Sequence, residues 1–123
     1  MATIEPPGQV ALVVDDDPGV RMCTADVLAE MGYEVIEAGS GEEALRAIED
    51  GAVPDLLLTD HLMPGMSGSA LAREVVSRLP RIRVIVVSGY SDVELDPGLV
   101  LLGKPFRLKE LRDCVIAATS RTP

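Results

Sequence analysis

Aromatic side chains are almost missing: no Trp, one Phe and two Tyr in 123 residues. Any hydrophobic core must therefore be aliphatic, built from Val, Leu, Ile, Ala and some Met. Cysteine is equally scarce. Cys23 and Cys114 are too few and too far apart for a disulfide framework or a zinc site, and read as small reduced core thiols. Positive charge is short as well, with eleven Lys and Arg against twenty Asp and Glu and a formal charge of −9. A nucleic-acid-binding surface needs clustered basic residues, so that class is set aside. No apolar run approaches the ~20 residues of a membrane-spanning helix. Residues 1–8 have no signal-peptide character and read as a disordered lead-in. The expected location is cytoplasmic, with no membrane or nucleic-acid partner.

What is present is a high apolar content, 47%, in a length that suits one domain with one core. The domain is expected over 9–119, with 120–123 as a tail. Short apolar runs alternate with amphipathic stretches. Val10 to Val14 reads as a buried strand. Asp17 then Pro18 marks a helix start, and Val20, Thr24, Val27, Leu28 and Met31 fall at helical spacing before the stop at Gly32. Tyr33 to Glu37 reads as an edge strand, and Ser40 to Glu43 as a capping box opening a second helix. Further strands are expected at 55–59, 82–87 and 99–102, with helices from Gly68 to Leu79 and from Leu108 onward. The pattern predicts an α/β fold, a flavodoxin-like, doubly wound, five-stranded parallel sheet in the order 2-1-3-4-5.

Three of the predicted strands end in charge. Leu12-Val13-Val14 runs into Asp15 and Asp16, Leu56-Leu57-Leu58 into Thr59 and Asp60, and Leu101-Leu102 into Gly103 and Lys104. In the predicted strand order the first and third strands are neighbours, and ligands of such sheets bind at their carboxyl edge. Three carboxylates and a lysine would share one crevice. At about 5 Å and an effective dielectric near 20, each carboxylate pair costs roughly 3 kcal/mol. A divalent cation with a preference for oxygen ligands reverses that penalty.

Four segments in this order, VALVVDDDPGVR at 10–21, PDLLLTDHLMPGMSG at 54–68, VIVVSGYSD at 84–92 and LLGKPF at 101–106, resemble the receiver domain of two-component response regulators. The wording is most similar to receivers of hybrid histidine kinases. The resemblance covers residues 9 to 119. It implies a signalling domain, not primarily an enzyme, that takes a phosphoryl group from a histidine kinase or histidine phosphotransfer protein in a phosphorelay. Asp60 corresponds to the phosphoacceptor, Asp16 to the direct Mg²⁺ ligand and Asp15 to its water-mediated neighbour. Leu62 would lend its backbone carbonyl to the metal. Ser88 corresponds to the hydroxyl that moves to the phosphate, and Lys104 to the lysine that pairs with acceptor and phosphate. Gly89 would leave room for the incoming group, and the bond before Pro105 is often cis in this family.

Other readings stand beside this one. A small Mg²⁺-dependent phosphohydrolase could use Asp15 as nucleophile and Asp17 as general acid. A phosphate-independent interaction domain is a third class. His61, the sole histidine, is expected to be a solvated loop residue outside the pocket, because neighbours in extended chain point to opposite sides. Leu62 and Tyr90 are expected either to flank the approach of a hydrolytic water, where bulk would slow loss of the phosphate, or to be packing residues.

One departure from the family stands out. Between the fourth and fifth strands the chain has only Ser88 to Gly98, and a parallel crossover needs at least about 10–12 residues. Asp96-Pro97-Gly98 stops any helix after a turn, so the family's fourth helix is expected to be strongly shortened or missing. Its loss would uncover apolar surface on strands four and five, to be covered by Val93, Leu95 and Leu99 or by a second copy of the chain as a homodimer. The aromatic residue often found on strand five is replaced by Leu101 or a neighbour. The last helix ends near Thr119, so no DNA-binding output domain is expected in this chain.

Overall fold

A computed structural model describes residues 9–89 and 98–119. Its elements are β1 (Val10–Val14), α1 (Pro18–Glu30), β2 (Glu34–Ala38), α2 (Gly41–Glu49), β3 (Leu56–Asp60), α3 (Gly68–Arg78), β4 (Arg83–Ser88), β5 (Val100–Gly103) and α4 (Leu108–Thr119). The five strands form one sheet in the order β2-β1-β3-β4-β5, with every pairing parallel. This is the flavodoxin-like arrangement that the alternating pattern predicts. Among the described residues no helix is long and apolar enough to cross a membrane.

The period-two geometry of the strands divides the core into two halves. Ala11, Val13, Leu56, Leu58, Ile85 and Val87 face one side, where Val27 and Leu28 of α1 and Leu111 and Val115 of α4 cover them. Leu12, Val14, Leu57, Val84 and Val86 face the other, under Ala44 of α2 and Leu71, Ala72 and Val75 of α3. Burying each such Leu or Val contributes roughly 1.5–3 kcal/mol. Because β1, β3 and β4 are covered on both faces, they read as unbroken apolar runs and reveal no alternation.

Helix starts follow local chemistry. The Asp17 carboxylate accepts hydrogen bonds from the amides of Gly19 and Val20, with Pro18 in the first turn. Ser40 Oγ accepts from Glu43 N, while the Glu43 carboxylate accepts from Gly39 N at 2.6 Å, one residue before the cap. Gly32 and Gly51, both at positive φ, end α1 and α2. Strand ends shift by a residue from the sequence reading: β3 runs on to include Asp60 and β4 to include Ser88.

The shortened crossover helix expected after Ser88, with Val93 and Leu95, lies outside the described residues. Val84 and Val86 of β4 are buried. Along β5 Val100, Leu101 and Leu102 are half-buried, Val100 and Leu102 facing the α1–α4 half of the core. Leu99 packs against the α2–α3 half of the core, as does Leu101.

Helix and sheet approach closely at Gly68, the first residue of α3. Its amide donates to the His61 carbonyl at 2.8 Å. A Cβ there would collide with the Asp60 carbonyl oxygen and lie 2.9 Å from His61 Cα. Both obstacles are backbone, so neither can swing aside. Gly68→Ala should destabilise the fold by about 2–3 kcal/mol, read as a lower urea midpoint at unchanged m-value.

Candidate functional site

Parallel pairing in register sets the site. Val14 pairs with Thr59, Asp60 with Val87 and Ser88 with Gly103. The chain then turns away at Asp15, after Asp60 and at Lys104, at the carboxyl ends of β1, β3 and β5, with the end of β4 between the last two. Asp15, Asp60 and Ser88 are 8%, 7% and 3% exposed, whereas Asp16 is exposed. The ligand oxygens of Asp15, Asp16 and Asp60 all lie within 4.8 Å of one another. Lys104 Nζ stands 2.8 Å from Asp60 Oδ1. The structure thus brings together Asp15, Asp16, Asp60 and Lys104, and Ser88 ends the strand between those of Asp60 and Lys104.

Backbone contacts fix each member. His61 N donates to the Val87 carbonyl and Lys104 N to the Ser88 carbonyl, both at 2.8 Å, so β3, β4 and β5 stay paired up to the site. The Asp17 amide donates to Asp15 Oδ1 at 2.9 Å. Thr59 Oγ1 donates to the Asp60 carbonyl at 3.0 Å within the buried interior. The peptide bond between Lys104 and Pro105 is cis, as the resemblance implies.

Electrostatics show a site short of positive charge. Burial raises the Asp15 pKa, and the nearby Asp60 and Asp16 carboxylates add to that; the Asp17 amide and Lys104 work against it. For Lys104, burial works to lower the pKa, but the hydrogen bond and charge of Asp60, with the charges of Asp15 and Asp16, prevail and raise it. One ammonium opposes three carboxylates, and two negative charges remain unbalanced. An all-oxygen donor set with a surplus of two negative charges fits a hard divalent cation such as Mg²⁺.

Several expectations need refining. Asp17 spends its carboxylate on the α1 cap, and one oxygen of Asp15 is held by the Asp17 amide. Both cap bonds fall on Asp17 Oδ1, so one oxygen of the residue that a phosphohydrolase would use as general acid is committed to holding the start of α1. His61 is not a freely solvated loop residue: it is half-buried, and its Nδ1 lies 3.0 Å from Ser69 Oγ at the start of α3. A Cβ at Gly89 would meet nothing within 4 Å among the described residues, so the space beside it is open. Leu62 is exposed, at 56%. Tyr90 lies outside the described residues.

Sequence reasoning missed Arg21. Its guanidinium donates to the Asp15 carbonyl at 2.7 Å and to Glu37 of β2 at 3.1 Å, anchoring the turn after β1 to the edge strand. The only signal was a basic residue one turn into α1. Gly68 was also missed as a site element, although its close approach sets the backbone of Asp60 and His61.

Fold and crevice together define a doubly wound α/β domain with an acidic pocket at the carboxyl edge of its sheet. Comparison with known proteins makes the assignment specific. Residues 11–116 match the family model described as the response regulator receiver domain. The sensor kinase CckA of Brucella abortus is 40% identical over 111 residues, 85% of this chain but 12% of that protein. The crystal structure of the receiver domain from hybrid histidine kinase CckA superposes with a TM-score of 0.77 at 37% identity, covering 89% of this chain and 97% of that one. The response regulator TrrA of Thermotoga maritima, solved in complex with Mg²⁺ and BeF, gives a TM-score of 0.78 at 33% identity over 89% of this chain and 98% of that one. The chain belongs to the receiver domain family of two-component systems.

The raised Asp15 pKa has a consequence for stability. Its charged form is disfavoured in the fold, so the metal-free domain is spared this cost below the unfolded carboxyl pKa, ~3.9, and bears it fully above the folded one. Asp15→Asn keeps an oxygen for the Asp17 amide and removes the charge. It should raise the melting temperature of the metal-free protein at pH 7 by roughly 2–5 °C, with the gain shrinking as pH falls toward 4, and weaken Mg²⁺ binding in a calorimetric titration.

Proposed function

We propose that this domain accepts a phosphoryl group onto Asp60 from a phosphohistidine on a kinase or phosphotransfer protein. The observation that carries this reading is the position of Asp60: 7% exposed, paired to Lys104 at 2.8 Å, and crowded by two further carboxylates. A carboxylate placed there for stability alone would be a poor choice, because its neighbours repel it. As a nucleophile it is well prepared. Lys104 engages Oδ1, leaving the other oxygen to attack phosphorus. The new P–O bond forms as the P–N bond to the donor imidazole breaks, and the electron pair leaves with the imidazole nitrogen.

Asp16, Asp15, Asp60 and the Leu62 carbonyl are the proposed Mg²⁺ ligands. When bound, the ion neutralises charge on the carboxylates and on the transferring phosphoryl oxygens. Lys104, an ammonium whose pKa is raised, against the effect of burial, mainly by the hydrogen bond and charge of Asp60, exchanges its partner from the carboxylate to the phosphate. Ser88, at the end of β4, is the neutral donor on the far side and turns toward the phosphate, shifting the domain between two conformations. The domain promotes only its own phosphorylation and hydrolysis and has no separate substrate. Its role is that of a cytoplasmic phosphorelay component.

Acetyl phosphate labelling followed by mass mapping tests this. One phosphoryl group should appear on the peptide holding Asp60 when Mg²⁺ is present, fall below detection with a chelator, and vanish in Asp60→Asn. Label on Asp15 instead would establish the phosphohydrolase reading. Equal partner binding by the native chain and Asp60→Ala would establish the phosphate-independent one.

A further inference from the structure

Beside the acidic crevice, on the α1–α4 side of the sheet, lies a cavity of about 460 Å³. Its floor is Val13, Leu58 and Val87 of the three central strands, and its walls are Val20 and Thr24 of α1 and Phe106 after β5. The volume falls within the ~300–1,000 Å³ of small-molecule pockets, which combine apolar walls with a few polar groups. Here Thr24 is that group. It is 6% exposed, and its hydroxyl makes no hydrogen bond to any described residue. Among the described residues no unpartnered polar side-chain atom is fully sealed, and Thr24 lines this cavity, which is where its hydroxyl can meet an occupant. Helical threonines commonly satisfy themselves on the preceding turn; Thr24 keeps its oxygen for an occupant.

We propose that the cavity is a binding site for a small neutral organic molecule, a compact aromatic or branched aliphatic body carrying one hydroxyl or carbonyl group. The body packs on the valine and leucine floor and against Phe106. The polar group exchanges a hydrogen bond with Thr24, replacing water there. Charge selects neutrality. Asp15, Asp60 and Lys104 stand at the rim, where an anion is repelled by the carboxylates and a cation competes with the divalent ion. The site adjoins the phosphoryl chemistry, with Asp15, Asp60 and Lys104 in its lining, and its apolar floor is there whether or not Asp60 is a phosphoacceptor. Because it shares Asp15 and Lys104 with the metal crevice, occupancy and metal binding are coupled reciprocally.

Benzyl alcohol and toluene serve as probes, one with the hydroxyl and one without, followed by amide NMR shifts of the full chain at saturating Mg²⁺. Saturable shifts centred on Val20, Thr24 and Phe106 are expected. Thr24→Val should weaken benzyl alcohol by about fivefold, the worth of one hydrogen bond, and leave toluene unchanged. Val20→Phe enlarges a wall residue that is 39% exposed and should abolish binding of both probes while thermal unfolding stays cooperative. If Val20→Phe fails to fold, the Thr24→Val pair decides. Non-saturable shifts, binding that survives a folded Val20→Phe, benzyl alcohol binding indifferent to Thr24→Val, or binding abolished by Mg²⁺ would each overturn the proposal.

Discussion

Between Asp15, Asp16 and Asp60 the carboxylate oxygens crowd within 4.8 Å, and Lys104 alone opposes them from 2.8 Å. Left to themselves these acids would swing into water, as Asp16 partly does. Asp15 and Asp60 cannot, because each is bound into the end of a central strand buried on both faces. The sheet therefore holds a repulsive arrangement that its own side chains balance only in part. Much of the surrounding structure serves to keep it in place: the Asp17 amide on Asp15, the Arg21 guanidinium on the Asp15 carbonyl, and the amides of His61 and Lys104 on the neighbouring strands. A resident charge deficit is what makes the crevice receptive to a divalent ion.

That constraint also explains why the helices begin as they do. α1 starts on Asp17 because Asp15 and Asp16 are committed elsewhere, and a third acid in the row is free to cap. α3 starts on a glycine because its first turn is pressed against the backbone that carries Asp60. The apolar cavity under α1 follows from the same region. Val20 and Thr24 are small for their wall positions, and the space between them and Phe106 stays open next to the acids.

Much of this was legible in the residues. Strands covered on both faces announce themselves as apolar runs, and Leu-Leu-Leu before Thr59-Asp60 leaves little choice for where the acid goes. Parallel order then brings Asp15 and Asp60 together, since β1 and β3 must be neighbours at the switch point. What stayed hidden depends on contacts between elements distant in sequence. Arg21 reaches Glu37 across sixteen residues, and no periodicity marks it. Gly68 looks like an ordinary helix start until the Asp60 carbonyl is placed against it. His61 was judged from strand alternation alone, which says nothing of Ser69 on the helix opposite. Thr24 fits an amphipathic stripe perfectly well, and only its lack of a partner distinguishes it.

His61 has one more property. It is the sole histidine in the chain, its amide is tied to β4, its carbonyl to Gly68 and its ring to Ser69. The imidazole ring protons of this protein therefore give one uncrowded pair of resonances, one residue from Asp60 and bonded into two secondary-structure elements at once. The molecule carries its own isotope-free spectroscopic probe at the most informative position in the fold, with no tryptophan or second histidine to obscure it.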